Sequence, residues 1–377
     1  MSLILTPLMF SGMLTADVPE SPDSKTSPCQ VVAESYGRLK DGREAKVFTL
    51  SNDHGVVAKV TNYGAILVGL IVPDRHGKAQ DLTHGFDTLA GWQNNTPYFG
   101  ATVGRFGNRI AKGKFTLKGK EHTLALNNEP AGIPCHLHGG LAGFGTKLWE
   151  SEIIPDGVRL TYISVDGEEG YPGELTVTIT YTLSNENELT WHAEATTTRA
   201  TPVNIIHHSY WNLSGDPTSS INNHLLTLHA DHYLPTDPGM IPTGEIKPVA
   251  GTPMDFRAPS VIGSRVEENY PALKLGNGYD HCWVLNGEGM RLAAKVTDPY
   301  SGRSLEVFTN NPAVQFYCAN YLDQSLIGKN GVRYDRRTAL CLETEAFPDT
   351  PNQPKFPNCI LHPGETYQHT MVHKLSW

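Results

Sequence analysis

The chain is poor in the residues that would mark it for several common roles. Of 377 residues only six are cysteine, at 29, 135, 282, 318, 341 and 359, and no two stand as Cys-x-x-Cys. That argues against a disulfide framework and a structural zinc, and leaves mostly buried thiols. Charged residues make up 18% of the chain, below the usual ~25%. The net charge is −9 and no basic run exceeds Arg336-Arg337, so nucleic acid is not an expected partner. No stretch reaches the ~18–20 apolar residues of a membrane span. His-Glu-x-x-His and Gly-x-Ser-x-Gly are missing, which removes two common hydrolase signatures. No repeat of fixed period occurs, which disfavours a propeller. Long amphipathic helical windows are lacking too, so helices are expected only as short connectors.

Turn formers are plentiful. The 36 glycines and 26 prolines are spread along the chain, which implies many short strands. Leu175, Val177, Ile179, Tyr181 and Leu183 alternate with threonines, and after Ser184-Asn185-Glu186-Asn187 the alternation resumes at Leu189, Trp191, Ala193 and Ala195. Such a pattern predicts an antiparallel hairpin with one wet face. Similar units are expected at Lys46 to Leu50, Val56 to Val72, Lys114 to Leu117, His122 to Leu126, Arg291 to Thr297 and Leu305 to Thr309. The prediction is an all-β protein, one large antiparallel β-sandwich over residues 31–377. Residues 1–30 read as an N-terminal extension or an export signal plus linker: Leu3 to Leu14 is an apolar run ahead of a Pro/Ser-rich segment, without a basic start. A soluble protein, cytoplasmic or exported, is expected accordingly.

Five segments carry polar residues that strands do not need: GRFGNRI (104–110), HLHGG (136–140), NIIHHSYWNL (204–213), GYDHCWVL (278–285) and CLETEAFPD (341–349). In the last, a buried strand from Ala339 to Thr344 runs into a proline-broken loop, so Glu343 stands where regular structure stops. That is a good place for a catalytic base. Period-2 geometry puts His207 and His208 on opposite faces, His136 and His138 on one face, and Glu343 and Glu345 on one face. A metal held by His136, His138, His208 and Glu343 is one competing reading, although no spacing demands it. A phosphate loop at Gly104-Arg105-Phe106-Gly107 is another, without the helix such loops need. The aromatics Tyr210, Trp211, Trp283, Phe316, Tyr317 and Tyr321 sit among these segments, and aromatic faces mixed with Asn, Asp, Arg and His suit a sugar.

Taken together, GRFGNRIAKGKF, LHGG followed by GF, HHSYWNL, GYDH, VQFY and LETEAFPDTPNQP resemble the motifs of the aldose 1-epimerase family, the galactose mutarotases, in family order over roughly residues 35 to 375. The resemblance implies a supersandwich fold with a sugar cleft on one sheet. It implies interconversion of α and β anomers of free aldohexoses such as glucose and galactose, with no cofactor. No metal is expected, since its signatures are missing, and a monomer or weak dimer is the expected state. Residue by residue it places the general base on Glu343 and the general acid on His208. A second histidine near the ring oxygen falls on His138. Hydroxyl-binding positions fall on Asn108, Arg109, Asp280 and Gln315, and Ser209 and Tyr210 line the same wall. Ring opening then needs Glu343 ionised and His208 protonated, each favoured by the other, with a bell-shaped pH dependence.

Three departures stand out. Glu345 replaces a usual Gln, Cys318-Ala319 replaces Thr-Gly, and Phe106-Gly107 replaces Val-Ala. Competing functions are a glycoside hydrolase pairing Glu343 with Asp280 or Glu345, a non-catalytic sugar-binding module, and an epimerase of hexose 6-phosphates. The last would need arginines at the rim, for which Arg105, Arg109 and Arg257 are candidates.

Overall fold

The computed structural model describes residues 29–377; the expected extension or export signal falls on residues outside the described ones, apart from its last two positions. The predicted hairpin forms as Leu175–Leu183 and Glu188–Thr197, with alternate side chains fully buried and half-buried. Its apolar face closes on the core, and its threonines face water, as the alternation requires. These strands belong to a nine-stranded antiparallel sheet, in which the last strand, Tyr367–Ser376, inserts between Glu188–Thr197 and Ser304–Thr309. A six-stranded sheet runs Tyr210–Trp211, Leu340–Glu345, Ala313–Tyr317, Asp280–Val284, His232–Leu234 and Lys247–Pro248. A third sheet holds the five strands from Gln30 to Asp81.

One apolar core links the three sheets: Leu50 and Val60 from the third, Ile179, Trp191 and Met371 from the nine-stranded sheet, Trp283, Phe316 and Leu342 from the six-stranded one. The large antiparallel β-sandwich expected from the pattern is the architecture found. The two α-helices among the described residues, Leu89–Trp92 and Pro271–Leu275, are short connectors. None of these is long or apolar enough to cross a membrane.

Two strand expectations need correction. Val56 to Val72 is not one unit: it breaks into Val57–Thr61 and Ile66–Val72 around Gly64 and Ala65, both at positive φ. The second strand of the 114–126 hairpin is Lys120–Thr123 rather than His122 to Leu126. The cause is a two-residue turn, Lys118-Gly119, with φ of 51° and 77°, the conformation that closes tight hairpins. All six cysteines are free, four of them buried.

Candidate active site

The strand Leu340–Glu345 is buried at every residue. It pairs with Ala313–Tyr317, with Gln315 opposite Glu343, and that strand pairs with Asp280–Val284, with Tyr317 opposite Asp280. Directly opposed residues and those two apart share a face. One face of this sheet therefore carries Asp280, Gln315, Tyr317 and Glu343; the other carries Trp283, Phe316 and Leu342 into the core. The polar face floors a cavity of about 660 Å³, within the size range of small-molecule sites. Gln315 Nε2 donates to Asp280 Oδ1 at 2.7 Å, which fixes both side chains on the floor.

Two walls complete the cavity. Ile206–His208 pairs with Ala101–Val103 and brings His208 over the sheet edge, where Nε2 stands 3.4 Å from Glu343 Oε1. Tyr210 stacks on His208 at 5.3 Å between ring centroids, and His138 packs edge-on at 5.0 Å. Opposite, Asn108 and Arg109 enter from the turn preceding Arg109–Ala111. Backbone N–H of Asn108 donates to His138 Nδ1, and Asn108 carbonyl accepts from His138 N–H. Arg109 Nε donates to Asn128 Oδ1 at 3.2 Å.

Of the sequence-predicted residues, Glu343, His208, Asn108, Arg109, His138, Tyr210, Asp280 and Gln315 all line this cavity. Ser209 does not. It sits between His208 and Tyr210 on extended backbone, so it faces the other way, its Oγ 3.0 Å from His207 Nε2. The same alternation sends Trp211, Trp283 and Phe316 into the core, leaving Tyr210, Tyr317 and Tyr321 at the cavity. His136 and His138 do not share a face, because the strand ends at Leu137 and His138 takes a left-handed φ of 51°. His136 is buried, its ring nitrogens engaged by Ala125 carbonyl and Tyr171 hydroxyl. The arginines of the phosphate reading are dispersed. Arg105 is buried on the carbonyls of Pro172 and Gly173, Arg257 is paired with Asp231 and Asp255, and Arg109 alone of the three lines the cavity. Tyr98, Met240 and Lys274 line it too and carry no sequence signal that would have picked them.

Burial dominates the electrostatics. It lowers His208 to about 4 and His138 well below the usual imidazole value, with His208 adding to the second shift. Glu343 is raised well above the carboxylate range, first by burial, then by Glu345 and Asp280, against the pull of Arg109. Burial thus opposes the ionised carboxylate and the imidazolium alike, against the attraction available across 3.4 Å. Glu345 is fully buried on the same strand face as Glu343, outside the cavity lining, and its Oε1 accepts from Asn108 Nδ2 at 3.1 Å.

A cation is a separate question, since possible ligand atoms of His138, His208 and Glu343 lie within 4.8 Å of one another. The tautomer of His138 opposes it. With Asn108 N–H on Nδ1, the neutral ring carries its hydrogen on Nε2, so neither nitrogen offers a free lone pair.

Comparison with known proteins bears on the whole chain. The family model described as aldose 1-epimerase matches residues 46–374. A galactose mutarotase of Homo sapiens is 46% identical, covering 90% of this chain and 97% of its own length. An aldose 1-epimerase of Escherichia coli K12 is 36% identical over 89% and 96% respectively. Among solved structures, an aldose epimerase homologue from C. elegans superposes with a TM-score of 0.81 at 30% identity, covering 88% of this chain and 99% of that one. A galactose 1-epimerase from Lactobacillus acidophilus gives 0.80 at 28% identity, with coverage of 92% and 99%.

Proposed function

The chain belongs to the aldose 1-epimerase family and is an isomerase of free sugars, and we propose that Glu343 and His208 carry the two protons of its ring-opening reaction. The observation that supports this most directly is the contact of Glu343 Oε1 with His208 Nε2 at 3.4 Å inside a cavity whose lining includes Asn108, Arg109, Asp280, Gln315 and Tyr317. In the forward step carboxylate Glu343 takes the C1 hydroxyl proton, the C1–O5 bond breaks, the C1 carbonyl forms, and imidazolium His208 gives its proton to O5. Rotation about C1–C2 and closure on the other carbonyl face run the same transfers backwards. No covalent intermediate is needed. His138, with its hydrogen on Nε2, serves as a donor to the sugar. Asn108, Arg109, Asp280 and Gln315 hold the hydroxyls.

The directions of these shifts fit this cycle. Carboxylate with imidazolium and carboxylic acid with imidazole hold the same single proton, and they interconvert by its movement between two neighbouring atoms. Ring opening produces the second state, so burial favours the form that faces the open-chain aldehyde. The pair works only with one proton, which keeps the pH dependence bell-shaped.

Polarimetry of freshly dissolved α-D-glucose and α-D-galactose tests the assignment. Glu343→Gln and His208→Asn are each expected to slow turnover by about 10²–10⁴-fold. If neither slows it, the roles are wrong. Nitrophenyl glycosides separate the hydrolase alternative, and no nitrophenol is expected.

A further inference from the structure

Glu345 is a fully buried acidic side chain beside the cavity that the proposed reaction leaves idle. It stands two residues beyond Glu343 on the same face of the strand, opposite Ala313, and is 0% exposed. Its Oε1 accepts from Asn108 Nδ2, while Oε2 has no hydrogen-bond partner. Around it stand Glu343 from its own strand, Asn108 from the turn before Arg109–Ala111, and Asn204 from the segment before Ile206–His208. Asp280 and Cys282 face it from Asp280–Val284, and Tyr367 from the last strand. None of these is a cation. Asn108, Asn204 and Cys282 temper the effect of burial, but no cation among these neighbours balances an ionised Glu345, which makes that charge costly.

Asn108 explains what the carboxyl does there. Its backbone is left-handed, with φ of 59°, and its two main-chain bonds fix His138. We infer that Glu345 is a positioning residue, which as a neutral carboxylic acid pins Asn108 against the cavity, and whose ionisation switches the enzyme off. The second effect runs through Glu343. A charge on Glu345 raises the proton affinity of Glu343 by like-charge repulsion, so Glu343 cannot return to the carboxylate that ring opening needs. Burial holds Glu345 up to about 8, which sets the alkaline side of neutrality as the switching range.

The inference rests on the Glu343–His208 reading, and its test separates the two. Turnover is measured by polarimetry from pH 6.5 to 10, with the uncatalysed rate subtracted, for wild type, Glu345→Gln and Glu345→Leu. In the wild type kcat falls with a midpoint near 8, with KM little moved. Glu345→Gln, which keeps the acceptor for Asn108 and cannot ionise, moves the midpoint of the alkaline fall up by about one pH unit or more, to where the Glu343–His208 pair itself loses its proton. Glu345→Leu, which loses the acceptor, raises KM by about tenfold, the size of one lost hydrogen bond to a bound-state group. A wild type without the alkaline fall, the same midpoint in Glu345→Gln, or an unchanged KM in Glu345→Leu overturns the inference. Full turnover in Glu343→Gln and His208→Asn defeats the proton-transfer reading and with it the switch through Glu343, while the KM of Glu345→Leu still decides the pinning of Asn108.

Discussion

Whether a side chain works in the cavity or in the core is decided, along NIIHHSYWNL, by its parity. His208 and Tyr210 point into the cavity; His207, Ser209 and Trp211 point into the sandwich. Ser209 is thus a hydrogen-bond partner for a buried imidazole whose Nδ1 already lacks one. Ser209→Ala is expected to destabilise the fold by about 1 kcal/mol or somewhat more, because the second nitrogen of His207 is stranded. Urea denaturation reads the loss, and polarimetry should find KM for the sugar unmoved; a raised KM would restore Ser209 to the wall. Much of the site was legible by this parity rule, since strands set it locally. It failed at His138, where the chain leaves extended geometry and the positive φ of His138, Gly139 and Gly140 turns the ring toward the cavity. It could not find Tyr98 or Met240, which reach the site from loops on left-handed backbone, with φ of 63° and 59°. Such placement is made by tertiary packing, and nothing in TPYFG or DPGM announces it.

At the scale of elements, Leu340–Glu345 is a two-faced strand: carboxylates toward the cavity, Leu340, Leu342 and Thr344 toward the core. Thr344 Oγ1 and His369 Nε2, 2.7 Å apart, tie it to the opposite sheet. The apolar face therefore sets the height at which Glu343 meets His208. Leu342→Ala removes a 1%-exposed side chain and should cost roughly 2–5 kcal/mol of stability. Because a slack strand lets the 3.4 Å contact drift, kcat should fall with KM less affected. Calorimetry and polarimetry on one preparation check the pair, and a loss of stability with full kcat would show that the strand is held by its ladder alone. Strand existence was readable wherever alternation ran unbroken, as in 175–183. Partner choice was not readable. The final strand inserts between strands that lie about 180 and 60 residues earlier, and such long-range pairing leaves no periodic trace in any one segment.

The whole molecule buries an unusual number of imidazoles, and this gives it a direction of pH sensitivity that no single site explains. His369 and His373 lie inside the sandwich near Trp191, Trp211 and His207. His281 packs beside Tyr233 and Trp283, and His84 stacks on Tyr334. Burial lowers His281, His369 and His373 to about 4, His84 to about 3, and His207 well below the ordinary value. In the unfolded chain each returns to ~6.5. Between ~6.5 and the lowered values the unfolded state binds protons that the folded state refuses, so stability falls as pH falls. Above ~6.5 both states are neutral at these rings and the effect vanishes. Each fully buried ring costs on the order of 1.4 kcal/mol per pH unit below 6.5, so several together remove much of a net stability of about 5–15 kcal/mol. Because His207, His281, His369 and His373 pack against the core shared by all three sheets, we expect one cooperative acid transition, centred between about pH 4 and 6. Followed by circular dichroism and tryptophan fluorescence, the two curves should coincide. Two separated transitions would divide the sandwich into independently folding parts, and a fold intact below pH 4 would mean that the rings take up protons without leaving the core.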